Sequence, residues 1–438
     1  FEIMERRNFL TATALSIGGL SLGCNDRLKT DNQVIELQYE FKKKKDKYNS
    51  SDLPKFRLRT LTSGPKHHFF GYYGTSPWSK DESKMVGIAS DFQDRLPEPE
   101  DTAGIGLIDP NNGSFNEIAQ TSAWNLQQGA MLHWNPLSPN QGIIYNDQVE
   151  NKLISVKLDT QTGKKLFLPR SISAVASKGK YALSLTYGRL GRMRKVVGYA
   201  GTVDPNPNEA HPKNDGVFLI DLQTNKTKLI VSIAEVFDFA IKDYPVLANR
   251  HIWFNHTDIC PSGNKFLFLA RFRNEKNKID SAMFAANIDG SDLKMIIPFG
   301  SSVSHFGWRN DDEIAVTFQD PLDNKIKHFL LSLHKKESSI IGENFIIDDG
   351  HCTFSANGRW MATDRKEDCS RSTSLWLYDL KLDKGVMLAN LAVPEYKYLH
   401  TNTRCDFHPR WNPSGNKICF DAIDTFSNTR QMHVVELF

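Results

Sequence analysis

One phrase, repeated along the chain, constrains the fold more than any other feature. It is clearest at His256-Thr-Asp-Ile-Cys-Pro-Ser-Gly263-Asn-Lys-Phe-Leu-Phe-Leu-Ala-Arg271: a strand that opens on a histidine, a tight Pro-Ser-Gly turn, and an apolar strand that returns. Near-copies start at His351 and His408 and a weaker one at His305, with the histidine in the same register to its turn each time. Before His256, strand pairs recur at intervals of roughly fifty residues around Trp78, Trp134 and Ile172, and His133 lies at nearly the same offset. The last unit reaches Phe438 one strand short, and residues 56–62 can supply that outer strand and leave no open edge. The chain is therefore expected to be all-β, a seven-bladed β-propeller whose ring closes by pairing its N- and C-terminal strands. The one helix signal is the apolar-periodic run after Ser232, residues 233–240, between the third and fourth units.

A length of 438 residues would allow two or three domains, but the repeat argues for one, over residues 55–438. Residues 1–24 have the layout of an export signal, with Arg6-Arg7 resembling a twin-arginine motif ahead of a short apolar run. Cys24 leaves two readings open, a lipoprotein attachment site and a cleaved signal without lipid. Residues 25–54, with four consecutive lysines from Lys42, read as a flexible charged linker. The expectation is export to the periplasm or cell surface, contact with a membrane only through a lipid at Cys24, and a monomer. A net charge of +3 without a long basic stripe argues against nucleic acid as a partner. Five cysteines remain after Cys24, an odd number that argues for buried thiols over a complete disulfide framework.

In a propeller the start of each blade's first strand and the end of its second share one rim. That geometry would gather His133, His256, His305, His351 and His408 with Tyr145, Arg271, Asp364 and Asp421. Imidazoles from adjacent blades suit a divalent metal such as zinc, manganese or calcium, with His256, His305, His351 and His408 as ligands. They suit a proton-transfer set equally well, or hydrogen bonds between neighbouring blades. Between Tyr187 and Tyr199 lie Arg189, Arg192, Arg194 and Lys195, a cationic stretch that matches carboxylate or sulfate, or else a solvated basic loop. His67 and His68, ahead of Phe69-Phe-Gly-Tyr-Tyr73, read as core or channel packing.

The runs His67-His-Phe-Phe-Gly-Tyr-Tyr73, Gln127-Gln-Gly-Ala-Met-Leu-His133-Trp134, His251-Ile-Trp-Phe-Asn-His256, Asp349-Gly-His351 and Arg404-Cys-Asp-Phe-His408 resemble the seven-bladed ulvan lyases across the whole domain. The resemblance implies β-elimination on a sulfated, uronate-containing acidic polysaccharide or oligosaccharide. His133 and Tyr199 would then move the protons, with Tyr187 in reserve. Arg189, Arg192, Arg194 and Arg271 would bind carboxylate or sulfate, with His256 and Tyr145 as further substrate contacts. A more distant likeness is to oligogalacturonate lyases, which hold manganese with a Gln-x-x-His-x-His cluster. This chain departs from it, reading Thr403-Arg-Cys-Asp406-Phe-His408, with Asp406 as a carboxylate that could serve as a ligand. The competing functions are a non-catalytic glycan-binding surface propeller and a metal-dependent glycoside hydrolase.

Overall fold

The computed structural model describes residues 40–41, 53–150, 152–343 and 345–438. The expected export signal, Cys24 and the lysine run lie outside the described residues. The rest forms seven four-stranded antiparallel sheets in chain order, spanning residues 67–121, 133–168, 174–232, 253–297, 306–340, 353–392 and 410–437. The seventh has only three strands of its own. Phe56–Thr60 completes it, running antiparallel to the terminal strand with Phe56 opposite Leu437 and Thr60 opposite His433. Lys55 and Phe438 exchange backbone hydrogen bonds at 3.0 and 2.9 Å, so the ring is sealed as expected. A two-residue strand, Glu40–Phe41, adds in parallel to the outer edge of the fifth blade.

Alternation within the strands explains the packing. In Lys265–Arg273 and Ile279–Asn287 one set of side chains fills the gap towards the third blade and the other the gap towards the fifth, and the two sets belong to separate apolar clusters. The helix expected after Ser232 is present over Ile233–Ala240. Ser232 caps it, accepting from the Glu235 amide at 3.1 Å while the Glu235 carboxylate accepts from the Ser232 amide at 2.6 Å.

The cationic stretch, open above between an anion site and a solvated loop, folds as a helix, Tyr187–Met193, followed by a 3-10 turn at Lys195–Val197. It sits inside the third blade, between the second and third strands. Gly188 lets it lie flat, since a Cβ there would fall 2.0 Å from the Val203 carbonyl oxygen.

Strand pairing gives the register of every blade. Trp411 opposes Ile418, Phe354 opposes Met361, Trp308 opposes Ile314 and Ile259 opposes Phe266. Three residues before these stand His408, His351, His305 and His256. In the second blade Trp134 opposes Ile143, so the equivalent position is Met131, and His133 falls where Arg410 and Asp258 stand in their blades. Met131 even shares the left-handed backbone of His256 and His408, with φ of 47°, 52° and 49°.

Candidate active site

The four register histidines meet at one mouth of the channel, in a cavity of about 470 Å³. Their rings follow one another, His256 to His305 at 6.4 Å between centroids, His305 to His351 at 4.0 Å and His351 to His408 at 4.2 Å. Each of the first three has a dedicated partner on Nδ1. Tyr72 Oη lies 2.5 Å from His256, Asp349 Oδ1 2.8 Å from His305, and both Asp364 oxygens 2.9 Å from His351. A carboxylate can only accept, so Nδ1 of His305 and His351 carries the proton and Nε2 keeps a free lone pair. Burial raises the Asp349 carboxyl, but the facing His305 and its hydrogen bonds outweigh this and hold it well below the carboxylate range. Burial lowers His256, His305 and His408 below the ordinary imidazole value.

The cavity floor comes from a loop inserted into the first blade, which carries Tyr72 and Tyr73. The loop is held from the seventh blade. Asp421, buried, binds Arg410 through two hydrogen bonds at 2.9 and 3.0 Å and Arg430 at 2.8 Å, and accepts from the amides of Phe70 and Gly71. Arg410 Nε also donates to the Tyr72 carbonyl at 2.6 Å. Gly71 has φ 107°, and a Cβ there would lie 2.4 Å from the Gly129 nitrogen, so only glycine permits this approach.

Two guanidiniums line the same cavity without an ion-pair partner among the described residues. Arg271 is 3% exposed; its Nε donates to Ser281 Oγ at 3.0 Å and its Nη1 has no partner. Burial, then the neighbouring Arg194, brings Arg271 down to about 9, and burial, then Arg404, brings Arg194 down to about 10. Two desolvated cations facing an open cavity are suited to receive an anion.

The other residues singled out from sequence lie elsewhere. His133 is buried beside the first blade, Nδ1 against the Met131 carbonyl at 2.7 Å and Nε2 3.4 Å from Thr75 Oγ1, and does not line the cavity. Tyr187 and Tyr199 stack at 4.5 Å in the core, bonded to the Ile172 carbonyl and Asn146, and burial raises both phenols. Tyr145 is fully buried with no hydroxyl partner. Arg189 is spent on the carbonyls of Ile252, Asn206, Glu209 and Ala210, stapling the insertion. Arg192 pairs with Asp204 at 2.8 Å in a separate lateral cavity. The cavity thus unites His256, His305, His351, His408, Arg194 and Arg271 of that set. It also holds Asp406, named above as a possible ligand, and adds Tyr72, Asp349 and Lys366, whose signal was their nearness to Gly71, His351 and Asp364.

His351, His408 and Asp406 form a donor set whose ligand atoms all lie within 4.8 Å of one another. The two Nε2 atoms face each other at 3.1 Å, the His351 nitrogen with its lone pair outward, and buried His408 Nδ1 has no partner. These observations fit a divalent cation, with Asp364 as the orienting carboxylate behind His351. Two imidazoles and one carboxylate suit zinc or manganese, whereas calcium takes oxygen ligands. Lys366 and Arg404 also hold Asp406, at 2.8 and 2.7 Å, and would share it with the metal. His256 and His305, turned to Tyr72 and Asp349, stand outside this set.

No protein-family model matches the chain, and no curated protein does. Among solved structures it is similar to an oligogalacturonate lyase from Vibrio parahaemolyticus, with TM-score 0.60 and 13% identity over 89% of this chain and 96% of that one. It is also similar to an oligogalacturonate lyase in complex with manganese, with TM-score 0.62 and 13% identity over 90% and 96%. At this identity the likeness is one of fold.

Proposed function

We propose that the protein is a lyase that cleaves a uronate-containing acidic oligosaccharide or polysaccharide by β-elimination. The observation that carries this reading is the meeting of a carboxylate-oriented imidazole, His305, with two unpaired guanidiniums, Arg271 and Arg194, in one cavity. Elimination needs those two elements. The hydrogen on C5 of a uronate is weakly acidic until its carboxylate is neutralised, and Arg271 with Arg194 supplies that neutralisation where burial strengthens it. His305 Nε2 then takes the C5 proton, its imidazolium stabilised by Asp349. A divalent ion on His351, His408 and Asp406 would add Lewis-acid polarisation of a sugar oxygen. The structural neighbours, two oligogalacturonate lyases, support the same reaction class. The substrate is either a galacturonate oligomer, as their names suggest, or a sulfated ulvan-type glycan, as the sequence resemblance implies.

The test is to incubate the protein with galacturonate oligomers, ulvan and a panel of other uronate glycans, with and without chelator. The ultraviolet absorbance of an unsaturated uronate should rise on at least one, and His305→Ala should abolish it. No rise on any glycan would sink the lyase. Saturable binding without cleavage would then leave a glycan-binding propeller, and new reducing ends without absorbance a hydrolase.

A further inference from the structure

We propose that His256 is the general acid of the site, fixed in its proton-donating tautomer by a hydrogen bond from Tyr72. The inference rests on the eliminative reading above and assigns the half-reaction that His305 does not perform. The Phe306 amide donates to Tyr73 Oη at 3.3 Å, and the Tyr73 ring packs against that of Tyr72, 4.9 Å between centroids. The atom 2.5 Å from the Tyr72 hydroxyl is His256 Nδ1. A neutral phenol is a far stronger acid than a neutral imidazole N–H, so Tyr72 donates and Nδ1 accepts. The two ring planes are nearly parallel, 7° apart. An imidazole that accepts on Nδ1 carries its proton on Nε2. That atom has no protein partner among the described residues, and His256 lines the cavity. His305 has the opposite arrangement, since Asp349 takes its Nδ1 proton. One cavity thus holds two neutral imidazoles of opposite polarity, a bare Nε2 and a protonated one.

The step balances. His305 Nε2 takes the C5 proton, the C5–H electron pair becomes the C4–C5 double bond, and the C4–O pair departs with the oxygen. That oxygen takes the His256 Nε2 proton while Nδ1 takes the proton of Tyr72. The phenolate, facing Tyr73, Gln128 and nearby Arg271, is reprotonated by the proton captured at His305, through solvent. His256 is the catalytic residue, and Tyr72 is a positioning residue acting through it.

The experiment compares two uronides in the full-length protein, one with an ordinary sugar alcohol leaving from C4 and one with a nitrophenolate, which departs without a proton. His256→Ala and Tyr72→Phe should lose about 10²-fold or more on the sugar and stay within a few-fold of the parent on the nitrophenyl ether. His305→Ala should lose both. Equal losses on both substrates for His256→Ala would overturn the assignment. A parent inert on every uronide would overturn the lyase itself and this role with it. Nitrogen-15 histidine NMR gives an answer that needs no variant to fold: His256 should show the Nε2–H tautomer, and an Nδ1–H tautomer would refute the assignment.

Discussion

Arg271 is where function outweighs stability. A buried guanidinium with a bare Nη1, a second guanidinium nearby and no carboxylate opposite is a cost to the folded protein, tolerated when an anion is to arrive. Arg271→Gln should therefore lower kcat/KM on the acidic glycan by about 10²–10³-fold, while Tm holds or rises. Steady-state kinetics beside a thermal melt checks both, and a fall in Tm with unchanged kinetics would reverse the argument. The histidines show how far single residues could be read from sequence. Four of the five shared a true register because a seven-residue spacing, or six at His305, separates the first strand from its return. His133 seemed to join them because the turn of its blade is longer, nine residues from Trp134 to Ile143. Its place belongs to Met131, and no periodicity in the chain announced that.

The tyrosine loop shows what an element owes to distant parts of the chain. His67–Phe69 pairs as an ordinary first strand, and then Gly71 turns the backbone so that Tyr72 and Tyr73 enter the channel. Nothing local to that run selects this path. Asp421, some 350 residues on, does so with Arg410 and Arg430. Asp421→Asn strands two buried guanidiniums and should cost about 3–5 kcal/mol in urea unfolding at neutral pH. The sign with pH follows. Burial raises the Asp421 carboxyl, but the two arginines outweigh it and hold it below its unfolded value near 3.9. Its stabilisation is present above that value and lost as pH falls through the folded one, so parent and variant should converge in acid. A constant gap down to pH 2 would contradict this. The helix Tyr187–Met193 was illegible for a related reason. Its two glycines and cations resemble a solvated loop until the Val203 segment and the Arg189 staple are in view.

At the scale of the whole molecule the repeat announced the fold, because each blade carries its own strand pattern and the missing outer strand was visible as Phe56–Thr60. Closure can be tested by Arg57→Pro. Lys55 and Leu61 donate their amides to the terminal strand, so by alternation Arg57 does too, and proline removes that donor. It should cost about 1–3 kcal/mol by chemical denaturation, whereas Arg57→Ala, which loses only an exposed ion pair to Glu436, should stay within about 1 kcal/mol. Equal effects would mean the seam adds nothing. The catalytic consequence of that seam is temporal. The shelf bearing Tyr72 is clamped by residues 410–430, which leave the ribosome after the other six blades, so a nascent chain, or one clipped before them, would still lack the means to hand a proton to a departing alcohol. Sealing and switching on are one event.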